Sequence, residues 1–142
     1  MTDKKQKLED YKVNIRIQLS AIWTAVMFCY IYGDYFELYV PKKVEGLVNG
    51  QNMLDSPAKL FLATFILTIP ALMIFLSLLL TPRLTKWLNI GVGIFFTLFT
   101  ALVGVSSISE WRAFYVFLAL LESLLTAAIV WRSWQWPKQN AA

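Results

Sequence analysis

Glu122 is the residue on which chemistry would turn. It interrupts Ala113–Trp131, a run otherwise free of charge, and stands ten residues from both Arg112 and Arg132. At about 1.5 Å of rise per residue, each arginine is roughly 15 Å away along a helix, so neither can pair with the acid from its own helix. Keeping the carboxyl protonated at pH 7 against a reference pKa near 4.3 costs about 3.7 kcal/mol. Inserting it charged at a helix centre costs a similar ~2.5–3.5 kcal/mol, so either form should face the interior of a bundle. The stripe it belongs to, Trp111, Tyr115, Ala119, Glu122, Thr126, Ile129 and Ser133, is the least greasy face of that helix.

A second candidate group lies on the first apolar run. Arg16, Ser20, Trp23, Met27, Tyr30, Asp34 and Glu37 follow one another at alternating spacings of four and three, which keeps them on one helical stripe. Two carboxylates and a phenol at the end of that stripe could hold a cation or an amine, although the plainer reading is that Asp34 and Glu37 sit in the wet interface where charges are tolerated. Pro70 cannot donate to the carbonyl of Ile66, which predicts a kink and a free acceptor at mid-span. Thr24, Thr68, Thr97 and that carbonyl lie at matching depth as partners for Glu122. The candidate ligand-binding set is therefore Glu122, Tyr30, Asp34, Tyr115 and Glu37.

The elements that must position these residues are four long apolar runs. Leu60–Leu80 and Trp87–Ile108 contain no charge, and Ile17–Gly33 is nearly as long. About 20 apolar residues span a hydrocarbon layer about 30 Å thick. With 58% hydrophobic residues and little mass between the runs, the chain reads as one all-α domain, an integral membrane four-helix bundle. Its spans are expected at about 15–37, 59–81, 85–106 and 110–133. Thr81-Pro82-Arg83-Leu84 is a tight turn, with Pro82 suited to stop one helix or open the next. Ser107 and Glu110 have the spacing of a capping box for the fourth helix. Val44, Leu47 and Val48 could line one side of a brief interfacial helix ended by Gly50. Gly93, Thr97, Thr100 (or Ala101) and Gly104 form a ladder of small residues that would let two helices approach closely.

Charge placement predicts topology. With both termini in the cytoplasm, Lys4, Lys5, Lys7, Lys12, Arg16, Arg83, Lys86, Arg132 and Lys138 lie inside, nine of the thirteen positive charges. Lys42, Lys43, Lys59 and Arg112 fall outside among Asp34, Glu37, Glu45, Asp55 and Glu110. Trp87, Trp131, Trp134 and Trp136 would form the inner aromatic belt, and Tyr32, Tyr35, Tyr39 and Trp111 the outer one. The net charge of +4 has no basic face on which to meet nucleic acid, so no nucleic-acid partner is expected. The N-terminal stretch is too charged, and lacks a small-residue cleavage site, to be a removable signal peptide. The chain has no histidine, and its one cysteine, Cys29, lies within the first run. No metal, no cofactor and no intrachain disulfide is expected. No activated nucleophile, metal cluster or phosphate loop is present, so binding is favoured over catalysis.

The words IWTAVMFCYIYGDYFELYVP, IPALMIFLSLLLTPRLTKWLNI and ESLLTAAIVWRSWQWP resemble an uncharacterised bacterial family of small four-helix integral membrane proteins, a domain of unknown function. The resemblance covers nearly the whole chain. It implies a multi-pass protein of the bacterial cytoplasmic (inner) membrane and carries no activity. A looser likeness to the DoxX-like four-helix proteins rests on span count and size alone, and no function follows from it.

Three functions remain open. A bundle could bind a lipid, quinone or hydrophobic amine around Tyr30, Tyr115 and Glu122, with a membrane-embedded isomerase as its catalytic variant. A homo-oligomer could carry out proton-coupled transport. An accessory or assembly subunit could pair its acid with the buried base of a partner membrane protein. Binding of a small hydrophobic molecule or lipid is the leading expectation.

Overall fold

The computed structural model describes residues 11–137. Five α-helices account for most of it: α1 (Ile15–Glu37), α2 (Lys43–Val48), α3 (Pro57–Leu79), α4 (Pro82–Ser106) and α5 (Ala113–Trp134), with a 3-10 turn at Glu110–Arg112 leading into α5. No strand occurs among the described residues. Four of the helices are long and apolar enough to cross a membrane. Lys4, Lys5, Lys7 and Lys138, used above to assign topology, lie outside the described residues.

Local chemistry explains the helix ends. The Asn14 side chain accepts from the Arg16 N–H (2.9 Å) to open α1. The hydroxyl of Ser56 accepts from the Lys59 N–H (3.3 Å) with Pro57 in the first helical position, so α3 begins two residues before the expected start at 59. It also ends early, at Leu79. Pro82 disfavours helical geometry at the residue before it, and Leu80 and Thr81 are both extended (ψ 161° and 151°). Pro82 then opens α4 three residues ahead of the expected 85. Gly50, with φ 71°, follows α2 as anticipated.

The expected capping box does not form. Ser107 closes α4, its N–H donating to the Val103 and Gly104 carbonyls (3.0 and 3.2 Å), and α5 has no side-chain cap. The 3-10 turn, which begins at Glu110, intervenes between Ser107 and α5, so the two box residues fall at the end of α4 and in that turn rather than at a helix start. Val44, Leu47 and Val48 of α2 are all exposed.

The long helices run alternately up and down. At one end, here the terminal end, Arg16 Nη1 donates to the Leu78 carbonyl (3.1 Å) and Lys86 Nζ to the Trp134 carbonyl (3.3 Å). Each contact gives a cation to a helix C-terminus whose last carbonyls lack helical partners. At the opposite loop end, α1 meets the start of α5. Helix α5 packs on both α1 and α4, and α1 packs on α3, whereas α3 and α4 touch less than these pairs do. The small-residue ladder lies on the α4–α5 seam. A Cβ on Gly104 would fall 2.9 Å from the Ala119 Cβ, and one on Gly93 would fall 2.8 Å from Val130 Cγ2. The close approach lets hydroxyls pair across the seam: Thr97 donates to Thr126 (2.8 Å), and Thr100 and Ser123 share a bond of 2.8 Å.

The packed core occupies the terminal half. Leu19, Trp23, Val26, Met73, Phe96 and Ile129 are buried against one another there, with Trp23 and Phe96 edge to face at 6.2 Å between centroids. Within it lies a polar hub that sequence reasoning missed. Asn89 is fully buried. Its Oδ1 accepts from Trp23 Nε1 (2.8 Å), its Nδ2 donates to the Thr85 carbonyl (2.8 Å), and Ser77 Oγ bonds both amide atoms (3.3 and 3.2 Å). Three helices are thereby joined at one side chain. The available signal was an amide inside an uncharged run, four residues from Thr85 and from Gly93.

Candidate functional site: a cavity around Glu122

The loop half of the bundle is hollow where the terminal half is filled. A cavity of about 440 Å³ is lined there by all four long helices and by Met53 and Leu54 of the segment before α3. Most of the lining is apolar: Leu62, Ala63, Ile66, Leu67, Phe99, Val103 and Leu118. The polar groups are few, and four of the five candidate residues are among them: Tyr30, Asp34, Tyr115 and Glu122. Tyr30 and Asp34 are one turn apart on α1, and Tyr115 and Glu122 two turns apart on α5, so the helix repeat places each pair on one face. The buried residues of α5 are Ala119, Glu122, Thr126, Ile129 and Ser133, five members of the stripe read from spacing.

Glu122 is 6% exposed. Its backbone carbonyl accepts from Thr126 Oγ1 (2.8 Å), and its carboxyl makes no hydrogen bond among the described residues. The partners expected at matching depth are engaged elsewhere. Thr24 donates to the Ser20 carbonyl, Thr68 to the Thr64 carbonyl, and Thr97 to the Gly93 carbonyl and Thr126. The Ile66 carbonyl accepts no side-chain donor, and α3 runs unbroken through Pro70. Tyr30 Oη is likewise buried without a partner. Tyr30 also packs on the core, its ring centroid 6.4 Å from that of Phe96, and so divides the filled half from the hollow one.

Glu37, the fifth candidate, does not line the cavity. Its Oε1 accepts from Arg112 Nη2 (2.7 Å), Arg112 Nε (3.2 Å) and Lys43 Nζ (2.9 Å). This cluster ties the end of α1 to α2 and to the turn before α5, which makes Glu37 a structural anchor for the loop end. A 75-residue separation between Glu37 and Arg112 left no trace in local spacing. Charge-assisted bonds of this kind are the stronger ones. Arg112→Ala is expected to loosen the 38–56 segment and to raise tryptic cleavage after Lys42 and Lys43 severalfold in limited proteolysis; unchanged cleavage would assign the anchoring to other contacts.

Cys29 is buried and free, and no cluster of metal-ligating side chains occurs among the described residues. Outside the cavity, Phe36, Tyr39, Val40, Trp111 and Phe114 form an apolar recess at the loop end. The Tyr39 phenol there shares a 2.9 Å hydrogen bond with Tyr35, which pushes its pKa up. Tyr32, Tyr35, Tyr39 and Trp111 are exposed around that end and Trp87, Trp131 and Trp134 around the other, while Trp136 packs on the core.

Residues 6–142, nearly the full chain, match the family of unknown function DUF6326. The chain belongs to that family. No curated protein and no solved structure matches it. For a DUF6326 member, then, the site must be read from its own geometry: an apolar chamber with two acids, two phenols and, at Glu122 and Tyr30, polar atoms without hydrogen-bond partners among the described residues.

Proposed function

We propose that this DUF6326 protein is a four-span protein of the bacterial cytoplasmic membrane, both termini inside, that binds a small hydrophobic molecule in the cavity around Glu122. The observation that carries this reading is the cavity itself. Its volume of about 440 Å³ falls within the range of small-molecule pockets. Its walls are apolar with a few convergent polar groups, the pattern such pockets share. An unpaired acid within a membrane helix is a functional group by default, because nothing structural offsets its cost. The cation excess at the terminal end supports the orientation.

Binding is favoured over proton transport by what lies beyond Glu122. Toward the terminal end, Trp23, Phe96 and Ile129 close the bundle, and Thr126 is already bonded within its helix and to Thr97. A relay would need a polar route through that packing.

Native mass spectrometry of the detergent-extracted protein beside Ala63→Trp tests the reading. Ala63 lines the cavity from α3, and an indole there would occupy much of it. The wild type is expected to retain a small adduct or to take up added dodecanol, and the variant to do neither. If neither protein takes up any apolar molecule, the chamber is not a binding site. A fusion reporter at the C-terminus should report the cytoplasmic side.

A further inference from the structure

The chemistry of the chamber selects among the small hydrophobic molecules it could admit. Two acids, Asp34 and Glu122, line it. Neither is in an ion pair among the described residues. Three cations are near, and one of them, Lys43, is bonded to Glu37 at 2.9 Å. Lys59 lines the cavity, but its Nζ is held by Asp55 Oδ1 at 2.6 Å, and Arg112 is held by Glu37. An anionic amphiphile such as a fatty acid would therefore meet two carboxyl groups and no uncommitted cation. A quinone or other pure acceptor would find the phenols of Tyr30 and Tyr115 as donors, Thr100 being already bonded to the Phe96 carbonyl and Ser123, but it would leave both acids without a partner.

We propose that the ligand is a lipophilic primary amine whose ammonium group is held by Glu122 and Tyr30 and whose apolar chain lies against Leu62, Ala63, Ile66 and Leu67 of α3. The assignment rests on the binding reading above. An ammonium has three donors and no acceptor, the complement of the Glu122 carboxylate and the Tyr30 phenol oxygen, neither of which is hydrogen-bonded among the described residues. Charge pairing with Glu122 relieves the cost of an acid enclosed in an apolar wall, and the ring faces of Tyr30 and Tyr115 add cation–π attraction. Asp34, one turn above Tyr30 and more exposed, gives the mouth of the chamber the same sign of charge. Leu62 lines the cavity and is also exposed on the outer surface of the bundle, so the alkyl chain has a way in beside α3. The ammonium-bearing headgroup of phosphatidylethanolamine shares this chemistry, but its phosphate and two acyl chains are poorly matched to a chamber of about 440 Å³.

The test is equilibrium binding in a non-ionic detergent of dodecylamine, dodecanol and dodecanoate to the wild type, Glu122→Gln and Ala63→Trp. Circular dichroism checks that each variant keeps its helices. Dodecylamine is expected to bind the wild type with one molecule per chain, at least tenfold more tightly than dodecanol, with dodecanoate weakest. Glu122→Gln should remove the preference for the amine by bringing its affinity to that of dodecanol, and Ala63→Trp should exclude all three. Displacement of dodecylamine by equimolar phosphatidylethanolamine would support the ammonium assignment and identify a lipid headgroup as its source. Equal binding of the three probes to the wild type and to Glu122→Gln would overturn the amine assignment while leaving the chamber as a binding site. Binding of none would overturn both.

Discussion

Asn89→Leu is expected to destabilise the bundle by about 3 kcal/mol, the cost of stranding buried donors whose partner has been replaced by an isosteric hydrocarbon. Two groups lose their partner at once. Trp23 Nε1 has no other acceptor, and Ser77 Oγ keeps no bond to another side chain. Ser77→Ala should cost only about 0.5 kcal/mol, because Asn89 would still accept from Trp23 and donate to the Thr85 carbonyl. Measured interhelical bonds between membrane helices average about 0.6 kcal/mol, so the large value for Asn89 depends on the orphaned indole rather than on bond count. Thermal unfolding in detergent measures both. In a Trp23→Phe background, Asn89→Leu should cost at least about 1 kcal/mol less, since the donor it orphans is already gone. Equal costs in the two backgrounds would show that Asn89 acts through packing alone.

Gly104→Leu should be the most damaging change on the α4–α5 seam, costing about 3 kcal/mol and lowering the midpoint of thermal unfolding by roughly 10 °C. A first carbon at this position already falls 2.9 Å from the Ala119 Cβ, and that carbon cannot rotate away because it is fixed to the backbone of α5. The helices would have to separate, stretching the Thr97–Thr126 and Thr100–Ser123 bonds that depend on their approach. The milder Gly104→Ala should cost about 1 kcal/mol, and Ala119→Gly placed with it should restore most of the loss by moving the missing space to the other helix. Gly93→Ala is expected to cost a similar amount, since Val130 Cγ2, the atom it would meet at 2.8 Å, belongs to a β-branched side chain held to one rotamer in a helix. A seam in which Ala119→Gly gives no rescue would mean that the Gly104 contact is not what sets the spacing.

These two positions separate what was legible in the residue order from what was not. Gly93 and Gly104 were readable as a packing face because small residues repeating every three or four positions mark one side of a helix, whichever helix lies opposite. Asn89 was not readable, because the satisfaction of an amide depends on Trp23 and Ser77, 66 and 12 residues away. The same division runs through the site. Spacing along a single helix put Tyr30 with Asp34 and Tyr115 with Glu122. It also put Glu37 beside Asp34, but it could not show that Arg112 and Lys43 reach Glu37 from other elements and draw it into an anchor.

The amino-acid sequence determined the four long apolar helices, their approximate ends, the buried stripe of α5 and the interior position of Glu122, since each follows from a local repeat and from the cost of a charge in hydrocarbon. Only the tertiary structure decided that α5 lies between α1 and α4, that bulky aromatics fill one half of the bundle, and that the other half holds a chamber in which the Glu122 carboxyl has no hydrogen-bond partner among the described residues. Those outcomes depend on how side chains from four helices share one volume, and volume sharing leaves no periodic signature in any one of them.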